Sequence, residues 1–427
     1  MKKELFEDIS KAFKTGFFHI FGGNVINKII SFLSGIVLVR ILTKAEYGTF
    51  TYAWNLYSFI ILFNGLGMSS GALQVGSEKW NQKDCNNVFS YAVKKGAFFD
   101  ILLAIAIVAM CFVYPFKIKN ADKLLLSLCM LPLPQFLFDI DTVYLRVKRR
   151  NDEYSKASVL STFLIFVFSV IGAFIFREFG LIIGRYASYI LSIIFCVLAF
   201  GVKFGNDSSL PQSEKKLISN ISYISLANNS ISQLLYLLDI FVLGIVTANE
   251  EILASYKIAT TIPTALLFIP SSLVTYIYPY FANHCNDREW CYKHYKKVFI
   301  INFLFSLLIT IILFAFAPFI IRIVFGKNYL DAVPAFRILV VSFLFSSSFR
   351  IVSSNLLVTM KKLKFNLIEA LISGGVNVIA DYYLIKLWGS IGAAVATLAV
   401  VIISSLLSTV YLIYVYKKAE RGENLHV

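Results

Sequence analysis

Charged side chains are scarce in this sequence. Asp, Glu, Lys and Arg make up 15% of its 427 residues, against roughly 25% in a soluble domain. Apolar residues account for 58% and the mean hydropathy is +0.73, which excludes an ordinary water-soluble fold. Recognisable covalent chemistry is missing too. There is no phosphate-cradling glycine loop, no nucleophile elbow and no helix with metalloprotease spacing. Of the four histidines only His19 lies within an apolar run. The six cysteines, Cys85, Cys111, Cys129, Cys196, Cys285 and Cys291, sit in apolar runs or in gaps assigned below to the cytoplasm, so no disulfide framework is expected. His284, Cys285, Cys291 and His294 together have the donor types of a zinc site. Their spacing matches no zinc pattern, and neither a metal nor a cofactor is expected. The segment 1–15 lacks a signal-peptide cleavage site and mixes acids with bases. Leu5, Phe6, Ile9, Phe13 and Phe17 recur at helical spacing, which predicts an amphipathic helix on the membrane interface.

What is present is a series of apolar runs. Twelve fall at 16–42, 47–73, 88–115, 121–145, 156–177, 180–202, 217–247, 254–282, 296–320, 333–359, 364–387 and 389–416. Each reaches the roughly 20 residues that carry a helix across about 30 Å of hydrocarbon. Lysine and arginine are shared unevenly between the gaps and span ends. Twenty-six lie on the side of the N-terminus, from Lys2 and Lys3 to Lys417, Lys418 and Arg421. The other side has nine: Arg40, Lys44, Lys117, Lys119, Lys123, Arg177, Arg322, Lys327 and Lys386. The positive-inside rule then predicts a multi-pass protein of a bacterial cytoplasmic (inner) membrane with both termini in the cytoplasm. Topogenesis and anionic membrane lipids account for the net charge of +15. No gap is large enough for a domain that would bind nucleic acid.

The longest polar break, 203–216, contains Gly205, Asn206, Asp207, Pro211 and Gln212. It predicts an N-lobe over 16–202, a cytoplasmic linker over 203–216 and a C-lobe over 217–416, with cytoplasmic segments 1–15 and 417–427 at the ends. Six helices is an even number, so both lobes enter the membrane in the same sense, as parallel repeats do. Tyr47, Thr51, Phe59 and Ile60 recur at the same spacing as Tyr256, Thr260, Phe268 and Ile269, at the start of the second helix of each lobe.

Polar side chains inside the runs carry the functional reading. Asn24, Asn27, Lys28, Ser31, Ser34 and Gly35 step by three and four along the first helix. Ser225, Asn228, Asn229, Ser232, Tyr236 and Asp239 do so along the seventh. Two readings stand: helix packing through small and polar residues, or a face lining a polar cavity. Serine and glycine suit the first, Lys28 and Asp239 the second. Lys28 and Arg350, the latter among Ser346, Ser347, Ser353 and Ser354, lie near mid-span, too deep to reach headgroups. They predict a cavity that takes a phosphate or diphosphate. Arg40, Arg185, Lys257 and Arg337 lie nearer the outer ends and either snorkel or join that cavity. The acids within spans are Asp100, Asp139, Asp141, Asp239, Glu369 and Asp381. Either they pair with buried bases, or one of them binds a driving proton or sodium ion; Asp239 is the first candidate, with Asp139, Asp141 and Glu369 behind it.

Arg40-Ile41-Leu42-Thr43-Lys44-Ala45-Glu46-Tyr47-Gly48 resembles the R-x-L-x-x-x-E-Y-G stretch between the first two helices of Wzx-type polysaccharide flippases. Asp239 with Leu243-Gly244, then Tyr256-Lys257-Ile258-Ala259 and Pro279, is similar to that family's seventh and eighth helices. Phe325-Gly326, Tyr329 and Ala332, followed by Ile338-Leu339, is similar to its ninth-to-tenth connection. The resemblance implies an all-α integral membrane protein of about 12 helices in two parallel six-helix lobes around a central cavity. This is the fold of the multidrug/oligosaccharidyl-lipid/polysaccharide exporter (MOP) superfamily, shared with the MATE exporters. It also implies a substrate, an undecaprenyl-diphosphate-linked oligosaccharide repeat unit moved to the outer leaflet for O-antigen, capsule or related surface polysaccharide. A polysaccharide polymerase is then an implied partner. A flippase of lipid-linked peptidoglycan precursor and a cation-coupled multidrug exporter are the alternative transporters. A membrane enzyme of polysaccharide assembly is the alternative from another class, and it would show acid/base residues gathered on a sizeable outer loop.

Overall fold

The computed structural model describes residues 17–78, 82–205, 210–360 and 362–417. The expected amphipathic segment 1–15 and the tail beyond Lys417 lie outside them. The described elements are all helical, and the chain divides into two compact units, Met1–Leu237 and Leu238–Val427. The first unit opens with α1 (Phe17–Ile41). Its second helix is broken into α2 (Lys44–Ile61) and α3 (Met68–Glu78) by a 3-10 turn at Asn64–Gly67. There follow α4 (Gln82–Val113), the pair α5 (Ala121–Ser127) and α6 (Pro132–Val147) bent by 44°, and α7 (Asn151–Phe200). Helix α8 (Gln212–Thr247) contains the division between the units, downstream of the polar break 203–216.

The second unit continues with α9 (Glu250–Leu266) and α10 (Phe268–Asn283), α11 (Arg288–Ala315) and α12 (Ala317–Val324). Helices α13 (Val333–Phe345) and α14 (Val352–Thr359) flank a π turn at Ser346–Ile351. The unit ends with α15 (Leu363–Trp388) and α16 (Ser390–Lys417). Among the described residues nine helical segments are long and apolar enough to cross a membrane, and the bent α5–α6 pair makes a tenth.

One of the nine, α7, is two crossings. Its 50 residues leave helical torsions at Phe176 and Arg177, the latter at φ 54 and ψ −135. A Cβ on Gly172 would strike the carbonyl of Gly180, and one on Gly184 the carbonyl of Phe168. Residue 172 thus faces 180 and 168 faces 184, so the chain doubles back about 176, at the end of the apolar run 156–177 and just before the run 180–202. The α15–α16 connection repeats this turn: Gly389 sits at φ 56 and ψ −129, and a Cβ on Gly392 would strike the carbonyl of Leu384. The second helix of each set is also interrupted after a similar length, 18 residues for α2 and 17 for α9.

Arg177 holds a left-handed backbone where its counterpart is glycine, and its side chain offsets that strain. Its Nε and Nη2 donate to Glu46 Oε1 and Oε2 at 3.0 and 2.6 Å. Glu46 also closes a capping box with Thr43 at the start of α2, accepting the Thr43 N–H at 2.8 Å. The glutamate of the E-Y-G stretch therefore clasps the head of α2 to the turn of α7. Arg177→Ala is expected to lower the melting temperature by a few degrees, about 1 kcal/mol for a partly exposed pair. Arg177→Gly is expected to lose less, because glycine tolerates the backbone conformation. Equal losses in thermal unfolding would rule out the strain account.

The break in the second helix is built differently. Gly65, Leu66 and Gly67 all have positive φ, at 53, 52 and 70. The buried Asp100 accepts the freed Gly65 N–H at 2.7 Å, and the ring of Phe136 fills the space where a Cβ on Gly65 or Gly96 would collide. Asp100 thus has a structural task, satisfying backbone that a bilayer would leave bare.

Candidate functional site

In the first unit the polar stripe of α1 splits into two faces. Asn27 Nδ2 donates to Ser158 Oγ at 2.7 Å, and a Cβ on Gly23 would collide with Ser155. That face seats α1 on α7. Asn24, Lys28 and Ser31 lie on the other face and are exposed. Lys28 has no ion-pair partner among the described residues, and Arg40 is exposed at the end of the same helix.

Arg185 is held against aromatic rings. Its guanidinium carbon lies 4.0 Å from the Trp54 ring centroid and 6.0 Å from that of Phe50, a cation–π arrangement. Its Nε is buried without a hydrogen-bond partner. Asp139 lies within electrostatic range of Asp100 and Tyr189, and Asp141 is buried with Oδ2 unpartnered. Neither acid neutralises Arg185, so a cationic group and separate acids stand within one unit.

In the second unit the acids gather around Asp239 on α8. Tyr256 Oη of α9 and Thr397 Oγ1 of α16 each donate to Asp239 Oδ2 at 2.7 Å. Asp381 of α15 is 0% exposed, and neither of its carboxyl oxygens receives a hydrogen bond. It lies within hydrogen-bonding range of Asp239. Two neighbouring carboxyl groups, with no donor between them, are stabilised by a proton or a cation in the gap. Asn377, one turn before Asp381, is also buried. Of the residues that complete this group, the sequence offers Asp381 only as one of six acids within spans, unranked, and offers neither Thr397 nor Tyr256 as an ion-coupling candidate. Tyr256 has a signal in the sequence through its repeat spacing and the Tyr256-Lys257-Ile258-Ala259 stretch, and Thr397 has none.

Arg350 lies in the π turn of the tenth helix. The irregular backbone there is satisfied from neighbouring helices: Asn302 Nδ2 donates to the Ser347 carbonyl at 2.9 Å and Ser405 Oγ to that of Phe345 at 3.2 Å. Such turns recur at functional positions. Arg350 Nη2 donates to Ser346 Oγ at 3.1 Å, and Arg350 acts electrostatically on Glu369, whose carboxylate accepts from Ser373 at 3.1 Å. Glu369 therefore belongs with Arg350, away from the Asp239 group. Lys257 is half-buried, with no ion-pair partner among the described residues. Arg337 is occupied at the end of α11, donating to the Phe314 carbonyl at 3.2 Å. The side chains of Asn228, Asn229 and Ser232 lie outside what the structure describes.

The histidine–cysteine cluster is arranged for stacking. His284 and His294 sandwich Trp290 with ring centroids 4.0 and 3.9 Å apart, and the thiol of buried Cys291 donates to the His284 carbonyl. Among the described residues no three His, Cys, Asp or Glu side chains form a metal-ligating group.

A family model described as "Polysaccharide biosynthesis protein" matches residues 37–334. No functionally curated sequence matches the chain. Among solved structures, an inward-facing multidrug-resistance MATE transporter of the MOP superfamily superposes with a TM-score of 0.77 at 14% identity, covering 93% of this chain and 96% of that one. The lipid II flippase MurJ in an inward closed conformation gives 0.73 at 16%, covering 94% and 90%. A MOP superfamily transporter from Pyrococcus furiosus, with a binding pocket of reversed polarity, gives 0.62 at 15%, covering 96% of each. At such identities the likeness is one of fold: this is an all-helical, multi-pass membrane architecture of the MOP type.

Proposed function

This chain belongs to the polysaccharide biosynthesis protein family, and from that premise we propose that it is a flippase. It moves an undecaprenyl-diphosphate-linked oligosaccharide from the cytoplasmic to the outer leaflet of the cytoplasmic membrane, leaving it covalently unchanged. The N-lobe (16–202) and C-lobe (217–416) rock about the linker 203–216 in alternating access. Lys28, Arg40, Arg185, Lys257 and Arg350 supply positive charge for the diphosphate, with the exposed Asn24 and Ser31 beside Lys28. Membrane lipid surrounds the carrier, and a polysaccharide polymerase receives its product.

The observation that carries this reading is Arg350, a guanidinium mid-way along an apolar span, on a turn whose backbone is held by Asn302 and Ser405. A carrier of cationic drugs has no use for such a group. The proposed energy input is a proton or sodium ion at the Asp239–Asp381 pair, whose all-oxygen donor set with Thr397 suits either. Likeness to MurJ, a lipid II flippase, favours one other substrate, a lipid-linked peptidoglycan precursor, which has the same diphosphate and prenyl tail.

The test is depletion in the native cell followed by leaflet-resolved analysis of lipid-linked saccharides. Build-up of a surface-polysaccharide repeat unit on the cytoplasmic leaflet, cleared by re-expression, is the expected result. Build-up of peptidoglycan precursor would replace the substrate. Sensitivity to cationic dyes without any build-up would overturn the reading.

A further inference from the structure

On the second unit, Val242, Ile245 and Val246 of α8 face Val378, Ile379 and Tyr382 of α15 across a groove of about 500 Å³. In the first unit the first helix is seated on the fifth through Gly23, Asn27, Ser155 and Ser158. The seventh and eleventh helices hold the same places in the second set, and branched aliphatic side chains leave a gap between them. Apolar space of that size beside hydrocarbon is filled by a chain. One end of the groove is charged. Lys386 Nζ donates to Tyr382 Oη at 2.6 Å and lies 4.0 Å from its ring centroid, which leaves ammonium protons for another acceptor. Lys386 is eight residues beyond Val378, about 12 Å along the helix. Tyr382, Tyr383 and Trp388 around it are exposed at 45%, 63% and 55%, the amphipathic belt of a headgroup region. The acid on this stretch, Asp381, is turned inward and 0% exposed, so the end of the groove keeps its positive charge.

We propose that this groove binds an anionic phospholipid, one acyl chain between α8 and α15 and the headgroup phosphate on Lys386. Val242 follows Asp239 by one turn and Val378 precedes Asp381 by one, so the lipid lies one turn from the carboxylate pair.

The experiment is native mass spectrometry of the purified full chain, titrated with phosphatidylglycerol, phosphatidylcholine or undecaprenyl phosphate. One phosphatidylglycerol is expected to be retained at least about tenfold more tightly than phosphatidylcholine. Lys386→Glu and the groove-filling Val246→Trp are expected to abolish that retention, and Lys386→Arg to restore it. All variants should elute as the same monodisperse species, which separates loss of the site from loss of the fold. Equal retention by wild type and both variants would overturn the proposal. So would equal retention of the zwitterionic lipid, or preferential retention of undecaprenyl phosphate. None of these readouts depends on transport.

Discussion

Asp381→Asn is expected to reduce ion-gradient-driven export at least about tenfold, a barrier change of about 1.4 kcal/mol, while the protein still folds. The asymmetry of the pair gives the reason. Asp239 is anchored by the hydroxyls of Tyr256 and Thr397 at 2.7 Å each, whereas Asp381 accepts nothing. An amide at 381 supplies a permanent donor to Asp239, in the place of a proton or cation that must come and go. The buried group becomes better satisfied and the cycle stops. Asp239→Asn is expected to stop export too, but at a cost in stability, because a neutral amide oxygen accepts more weakly from Tyr256 and Thr397 than a carboxylate does. Rates of lipid-linked saccharide movement in vesicles with an imposed gradient, read beside melting temperatures, distinguish the two. Gradient-driven export by Asp381→Asn at the wild-type rate would remove the pair from the coupling mechanism.

The helices were legible because membrane spans announce themselves by length and apolarity, and even the fold-back near residue 176 falls at the end of a run, beside the gap that follows it. What joins the helices was not. Asp381 and Asp239 are 142 positions apart, and nothing local marks which face of an apolar helix meets which other. The sequence ranks Glu369 ahead of Asp381 as an ion-binding candidate, whereas its contacts lie with Arg350 and Ser373. The stripe on α1 had the spacing of one face, but a step of three or four residues spans enough of a helix to cover two. Asn27 went to packing and Lys28 to exposure. The π turn leaves no mark in composition beyond the run Ser346–Ser348. Thr397 is indistinguishable in sequence from any threonine in an apolar run.

The two six-helix sets repeat their turns more faithfully than their chemistry. Arg177 and Gly389 adopt nearly the same torsions, yet one is clasped to Glu46 and the other is a bare glycine. In the first unit the guanidinium of Arg185 lies over Trp54 with no carboxylate; in the second, Asp239 and Asp381 pair with each other and Arg350 stands apart from them, beside Glu369. Repetition supplies the frame, and divergence separates the groups suited to an anion from those suited to a cation.

Arg350→Ala is expected to lower export about 10- to 100-fold, the worth of a charge-assisted hydrogen bond of about 1.5–3 kcal/mol. Arg350→Lys should recover only part, because a point charge cannot present a planar fork to two phosphate oxygens. Lys28→Ala should lose less, since Lys28 is exposed on its helix and an exposed charge is better screened. The competing explanation is that Arg350 merely stabilises the π turn. The contacts argue against it: Asn302 and Ser405 hold the carbonyls of that turn, while Arg350 itself donates to the Ser346 hydroxyl. Asn302→Ala therefore tests the turn and Arg350→Ala tests the charge. If Arg350→Ala lowers the melting temperature as much as Asn302→Ala, and Arg350→Lys restores both stability and export in full, the residue is structural. If stability stays and export falls with the fork, the guanidinium meets the substrate.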